Sequence, residues 1–340
     1  MCRLDKPLRV IELFAGYGSQ ALALKYLNIP FEHWFVCDFD KYAIQSYNDI
    51  HGTNYIPTDI TKISTKDLCI ENTNNYDYLL TYSFPCTDLS LAGQQKGMSK
   101  GSGTRSGLLW EVERLLKECK ELPQYLLMEN VPQVIGNKNI NDFRNWCQFL
   151  TELGYTNSYK LLNAKDYGIP QNRQRCFMVS ILNNKKFKFP GKEQLKLCIA
   201  DFLDKTIDND RYFLPNKYLN NIEINYNSSH IANLHYTTYR QSNVVYSIYG
   251  VLPTLRAAEM EFDYLKTTKI GYLKDTKFVI RLLTPNEHLR LMGLKDKEID
   301  KFTVNGNQKC KQAGNSIVVN VLMAIFKNLF IDEEFENTLF

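Results

Sequence analysis

Three groups of side chains in this sequence stand where they could do chemistry. Phe84-Pro85-Cys86 closes a short apolar run that begins at Tyr78, which leaves a thiol on the loop after a predicted strand. Met128-Glu129-Asn130-Val131 ends a similar run from Tyr125 and sets a carboxyl among apolar neighbours. Gln171-Asn172-Arg173-Gln174-Arg175 leads into a third run, Cys176 to Ile181, and strand alternation sends Arg173 and Arg175 to one face. A lone cysteine is ordinarily a small buried hydrophobe, and only its company raises Cys86 above that. Nearby cations favour a thiolate, and apolar burial favours a protonated Glu129. The set comprises a nucleophile, a proton carrier and two cations.

A second constellation lies upstream. Gly16-x-Gly18-x-x-Ala21 falls between a predicted strand and a predicted helix, where glycines permit a tight turn and the helix start offers unpaired N–H donors. Asp38 ends the next strand, twenty residues after Gly18, at a position suited to ribose hydroxyls. By themselves these residues read as a dinucleotide-binding dehydrogenase or as a glycine turn that binds nothing. Asp59, beyond an expected third strand, is either a second ligand group at the same edge or a helix N-cap. A dehydrogenase has no need of Cys86, Glu129 and the arginine pair.

The elements that must position these groups alternate. Strands are expected at Leu8–Leu13, His33–Cys37, Tyr78–Ser83, Tyr125–Met128, Tyr159–Leu162 and Cys176–Ile181, with helices at Gln20–Leu27, Lys41–Asn48 and one closed by Gly154. Leu108, Leu109, Val112, Leu115, Leu116 and Cys119 fall at helical spacing. Such alternation predicts an α/β domain on a parallel sheet. From Lys185 to Phe278 the rhythm is lost and Lys, Asn and Tyr abound. It resumes with Thr284-Pro285-Asn286-Glu287, which has capping-box chemistry, and ends in an apolar helix over Ile317–Phe330. The expected layout is residues 1–184, an insertion over 185–278, and a return over 279–340.

Composition is permissive. The 340 residues carry 41 Lys and Arg against 37 Asp and Glu, a net charge of +4 that does not by itself demand a polyanionic partner. With 44% hydrophobic and 23% charged residues, wholesale disorder is excluded. Nine cysteines without a C-x-x-C pair suit a reducing, cytoplasmic setting rather than a disulfide or zinc framework. No apolar run reaches membrane-spanning length, and Met1 to Leu8 is unlike a signal peptide.

Five segments carry a resemblance: Phe14-Ala15-Gly16-Tyr17-Gly18, Phe84-Pro85-Cys86, Met128-Glu129-Asn130-Val131, Gln171-Asn172-Arg173-Gln174-Arg175 and Gly314-Asn315-Ser316. In order and spacing the chain resembles the cytosine-C5 DNA methyltransferase family. The resemblance implies a Rossmann-like methyltransferase domain with a mixed, mostly parallel sheet and an inserted target-recognition domain. It implies S-adenosylmethionine as methyl donor, no metal, and a cytosine flipped out of duplex DNA as acceptor, since the ring faces are unreachable inside the stack. Carried over, Cys86 attacks C6, Glu129 serves N3 and the exocyclic amine, Arg175 holds O2, and Arg173 supports the same site. Phe14 and Phe39 flank the adenine, Asp38 takes the ribose and Asp59 the adenine amine. Ala15, Gly16, Gly18, Ile60, Leu108, Asn315 and Ile317 complete the cofactor site.

For DNA the expectations are broader. Residues 93–107 hold five glycines with Lys96, Lys100 and Arg105 just after the nucleophile, either a basic loop over DNA or a solvated surface loop. The insertion has 14 Lys and Arg against 10 Asp and Glu, a mild bias towards phosphate contacts. Thr254-Leu255 matches a pair near the flipped nucleotide in the family, and spacing from it puts Gln241 where a side chain would fill the gap. Arg240 and Arg256 suit guanine, through paired contacts to O6 and N7, or phosphate. Thr87 departs from the glutamine that the family usually has after the nucleophile. The expected enzyme is a monomer, with a separately acting restriction endonuclease as a possible cognate. The alternatives are a tRNA methyltransferase of the same fold and a catalytically silent DNA binder, the latter expected to lack one of Cys86, Glu129 or Arg175.

Overall fold

The computed structural model of the chain describes residues 4–89, 96–183, 185–215, 224–225, 230–234, 240–274, 277–332 and 335–336. The first half forms a sheet from β1 (Leu8–Leu13), β2 (Phe31–Cys37), β3 (Asp77–Tyr82), β4 (Tyr125–Asn130), β5 (Tyr155–Asn163) and β6 (Gln174–Leu182). Its order is β2-β1-β3-β4-β6-β5. The first four strands are mutually parallel, joined through α1 (Ser19–Tyr26), α2 (Lys41–His51) and α3 (Leu109–Glu118).

The sheet is mixed. β6 runs antiparallel to both β4 and β5. A parallel neighbour requires a crossover of a dozen or more residues, usually a helix. Only residues 164–173 separate β5 from β6, so the chain folds straight back. Residues 53–59 form no strand, contrary to the expectation upstream of Asp59. That stretch is held instead by side chains, with Tyr55 donating to the His33 carbonyl at 2.8 Å and Asn48 bonding the Tyr55 backbone.

Both faces of the sheet are buried, which is why its strands read as near-continuous apolar runs. Leu8, Val10, Leu79, Leu127 and Val179 face one layer, built from α1 and the closing helix α7 (Val319–Phe330). Ile11, Leu80, Leu126 and Met128 face the other, built from α3 and α4 (Ile140–Glu152). Along α7, Val319, Leu322, Ile325, Phe326 and Leu329 are buried at helical spacing, which binds the end of the chain to its beginning. No single helix among the described residues is long and apolar enough to cross a membrane.

The insertion builds a second sheet from β7 (His230–Asn233), β8 (Val244–Ser247), β9 (Lys269–Lys274) and β10 (Lys277–Leu282), in the order β10-β9-β8-β7. β10 is thus crossed by the boundary placed at 278, because its pairing partner lies in the insertion while its end anchors the return. Arg281 in β10 forms a buried bidentate pair with Glu287, at 2.7 and 2.8 Å. Glu287 also completes the expected capping box with Thr284 at the start of α5 (Pro285–Arg290). The chain then runs through α6 (Gly306–Asn315) to α7.

Candidate active site

The three chemical segments meet at one edge of the large sheet, at the carboxyl ends of β3 and β4 and the start of β6. Cys86 lies on the loop after β3 and is partly exposed. The Asn130 side-chain amide donates to the Phe84 carbonyl at 2.9 Å, which ties that loop to the end of β4. Glu129, the residue before, is buried and lies 3.2 Å from Arg175 Nε. Burial pushes the Glu129 carboxyl above its ordinary value, against the opposing pull of Arg175 and Arg173. That direction agrees with the protonated acid expected from its apolar neighbours.

The thiol behaves differently from expectation. Both arginines act on Cys86 in the direction of the thiolate, yet burial and the Glu129 carboxylate outweigh them and the thiol is raised. The cations offset part of that rise.

Arg173 and Arg175 share the site but not a task. Arg175 faces Glu129 and spends one further donor on the Gln174 carbonyl at 2.8 Å. Arg173 is buried, with its guanidinium on the carbonyls of Leu255 at 3.0 Å, Gly314 at 2.9 Å and Ser316 at 2.6 Å. It joins the insertion and the final segment to the catalytic sheet. What reaches Cys86 and Glu129 from it is charge.

The glycine loop and the β2 edge form a second rim. Gly16 and Gly18 have φ of +58° and +80°, and Gly18 begins α1 without a side-chain cap. A Cβ at Gly16 would meet nothing within 4 Å, so the loop opens onto free space. Asp38 accepts the Gly16 N–H at 2.9 Å on one oxygen and the Asp40 N–H at 2.9 Å on the other. Ala15 is buried and donates to the Cys37 carbonyl, while Phe14 stands partly exposed with a positive φ of 58°. Phe39 presents its ring to solvent at 67% exposure. An open glycine at 16, a pinned carboxylate and a bare aromatic ring fit an adenosine with a positively charged tail. Asp59 is exposed and caps the turn at Ile60, accepting from the Thr61 amide and hydroxyl. Ile60 and Ile317 are buried, Asn315 is exposed at the end of α6, and Leu108 packs with the α3 layer.

The recognition residues sort into two kinds. Thr254 donates its hydroxyl to the Asn172 carbonyl, and Gln241 donates to the Thr254 carbonyl at 3.0 Å, so Gln241 is linked to the arginine segment through Thr254. Leu255 is buried. Arg256, a candidate for guanine, turns a donor to the Lys266 carbonyl at 2.8 Å and sits 3.9 Å from buried Glu259. In that arrangement it braces its own loop. Lys96, Arg105 and Thr87 are exposed. Arg240 opens the short helix Arg240–Asn243, and its side chain, like residues 90–95 of the glycine-rich loop, lies outside the described residues.

Gln171 and Gly314 stand in the segments that carry the resemblance, with no role that the sequence alone assigns. Buried Gln171 accepts from the Leu255 amide at 3.1 Å and donates to the Leu291 carbonyl at 2.9 Å. Gly314 lies so close to the insertion that an added Cβ would stand 2.1 Å from the Ala257 nitrogen. Gly314→Ala is therefore expected to force the recognition loop away from α6 and weaken DNA binding about tenfold or more, with a smaller change in cofactor affinity; titrating each ligand separately checks this. On the other side of α6, Lys311 pairs with Asp40 at 2.7 Å and Gln312 donates to the Tyr42 carbonyl at 3.0 Å.

Residues 8–331 match the C-5 cytosine-specific DNA methylase family. The chain is 34% identical to the type II methyltransferase M2.ScrFI of Lactococcus lactis subsp. cremoris, over 95% of this chain and 99% of that relative. It is 38% identical to the orphan methyltransferase M.SssI of Spiroplasma monobiae, over 95% and 97% of the respective lengths. Among solved structures, the Entamoeba histolytica methyltransferase EhMeth superposes with a TM-score of 0.76 at 18% identity, covering 97% of this chain and all of that one. That last likeness speaks for the fold alone. The fold is that of an α/β methyltransferase, and the chain belongs to the C-5 cytosine-specific DNA methylase family. It is a DNA (cytosine-5-)-methyltransferase, of a family that takes its methyl group from S-adenosylmethionine.

Proposed function

We propose that the enzyme methylates one cytosine within a specific duplex sequence, through a covalent bond between Cys86 and C6 of a base turned out of the helix. The carrying observation is the convergence of Cys86, Glu129 and Arg175, with Arg175 3.2 Å from Glu129 beside the thiol loop. Gly16, Gly18, Asp38 and Phe39 would hold S-adenosylmethionine, with Phe14 on the adenine and Asp59 at its amine. Bound there, the cofactor supplies an electrophilic methyl group.

The chain's own residues prepare the base. Cys86 gives up its proton to solvent water and its sulfur adds to C6, so the ring's electrons move towards C5 and N3. Glu129, whose hold on a proton burial strengthens, meets N3 with that proton as negative charge develops there. Arg175 supports O2 and keeps the Glu129 carboxyl in place. After methylation, water takes the proton from C5, the bonding pair restores the C5–C6 double bond and expels Cys86 as the thiolate, and N3 returns its proton to Glu129. The flip itself is required because neither C5 nor C6 can be approached in the stack. Gln241, Thr254 and Leu255 border the place that the base would enter.

The names of the curated relatives support a modification role of the restriction-modification type, as a solitary enzyme or beside a nuclease. Expression in bacteria free of cytosine methylation, followed by bisulfite sequencing of the genome, tests this reading. One short sequence methylated throughout is the expected result. Background methylation from folded protein would overturn it and favour an RNA substrate or a silent binder.

A further inference from the structure

Two buried polar side chains beside the nucleophile take no part in the chemistry above. Asp88 is 6% exposed and Ser106 fully buried, although both are polar and both stand next to a surface loop. The Ser106 hydroxyl donates to the Pro85 carbonyl at 2.7 Å and accepts the Asp88 N–H at 3.3 Å. One Asp88 carboxylate oxygen accepts the amides of Arg105 at 2.8 Å and Ser106 at 3.3 Å. The Asp88 carbonyl accepts the Gly97 amide at 3.0 Å. The whole excursion from Gly97 to Ser106 is thus closed at its base on one residue, two positions after Cys86.

The consequence falls on Cys86. A peptide unit is planar, so fixing the Pro85 carbonyl fixes the plane of the Pro85–Cys86 bond and the place of the Cys86 Cα from which the thiol projects. The preceding plane is fixed independently, by Asn130 on the Phe84 carbonyl. Proline at 85 removes most of the remaining freedom in φ. Two side-chain clasps thereby hold the backbone that carries the thiol on an otherwise irregular loop.

We propose that Asp88 and Ser106 are positioning residues that aim the Cys86 thiol, linking the nucleophile loop to the base of the basic segment that ends at Arg105. The proposal rests on the reading of Cys86 as nucleophile. A displacement of about 1 Å at a reacting atom can cost on the order of 10²-fold in rate. Ser106→Ala and Asp88→Ala should therefore each lower kcat about 10- to 100-fold, measured as labelled methyl transfer from S-adenosylmethionine into unmethylated bacterial DNA. The Kd for S-adenosylmethionine and the melting temperature should stay near those of the parent protein. Asp88→Asn keeps an oxygen able to accept both amides and should recover most of the rate. The two alanine changes share one clasp, so the double variant should be no more than about twofold slower than the slower single.

Multiplying effects in the double variant, an unchanged kcat, or a parallel loss of melting temperature and cofactor affinity would each overturn the clasp. Alkylation of Cys86 by iodoacetamide, followed on its own peptide by mass spectrometry, gives a second readout and should change in rate in Ser106→Ala even if turnover is low. Cys86→Ala separates the two failures. If it still methylates DNA, the nucleophile reading falls and the clasp with it, whereas an inactive Cys86→Ala beside a fully active Ser106→Ala sinks the clasp alone.

Discussion

Replacing Cys86 with alanine should reduce methyl transfer by at least about 10⁴-fold, since removing a covalent nucleophile takes away the step that makes C5 reactive. Binding of S-adenosylmethionine should be unchanged, because the glycine loop and Asp38 lie on a separate rim held by backbone bonds. The fold should survive, as Cys86 is only partly buried and its loop is held through the Phe84 and Pro85 carbonyls. A complementary experiment uses a target duplex with 5-fluorocytosine. Fluorine cannot leave C5 as a proton, so the parent enzyme should be trapped on the DNA through Cys86 once the methyl group has moved. Turnover near the parent rate in Cys86→Ala, or no trapped species at the correct site, would rule out the covalent route.

Glu129→Gln should produce the second large effect, a loss of about 10²- to 10⁴-fold, because the amide cannot supply a proton at N3. Its pH dependence is more telling than its size. The reactive form of the parent enzyme needs Cys86 ionised and Glu129 protonated. Both groups are raised by burial, the thiol from an ordinary value already well above that of a carboxyl. Below the Glu129 titration the carboxyl stays protonated and the rate rises with the thiolate fraction. Between the two titrations that gain is cancelled by loss of the Glu129 proton, and above the thiol's the rate falls. In Glu129→Gln only the thiol titrates. Its rate should climb about tenfold per pH unit across the range where the parent enzyme is flat, and the descending limb should vanish. Single-turnover rates over pH 5.5 to about 9.5 check this. Parallel profiles for the two proteins would remove Glu129 from proton transfer.

How far the site could be read in advance differs from residue to residue. Cys86 and Glu129 stand after the carboxyl ends of apolar runs, which in such sheets face the ligand edge, whereas Arg175 precedes its run and reaches that edge because β6 is antiparallel. The alternation of strands and helices predicted the layers on both sides, since period-2 and helical patterns are local. The reversal of β6 was not legible as a direction. It follows from the short link over residues 164–173, which only pairing with β4 and β5 turns into an antiparallel ladder. The edge strand β10 was likewise split, because its membership depends on a partner strand and not on its own composition.

The arginine pair shows the limit most plainly. Both arginines were visible as cations on one face, yet one turns to Glu129 and the other to three carbonyls of segments more than eighty residues away. Arg256 reads as a base contact in sequence and as a brace of its own loop in space. The thiol was expected to be eased towards ionisation by those cations, and burial outweighs them. Asp88 and Ser106 carry no local signal at all, for an aspartate and a serine near glycines are ordinary loop residues until their partners are known. Side-chain types, their spacing and the strand ends that present them follow from local chemistry written in the chain. Which donor meets which acceptor, how deeply a charge is buried and what aims the thiol depend on contacts between segments far apart in sequence, and those exist only once the chain has packed.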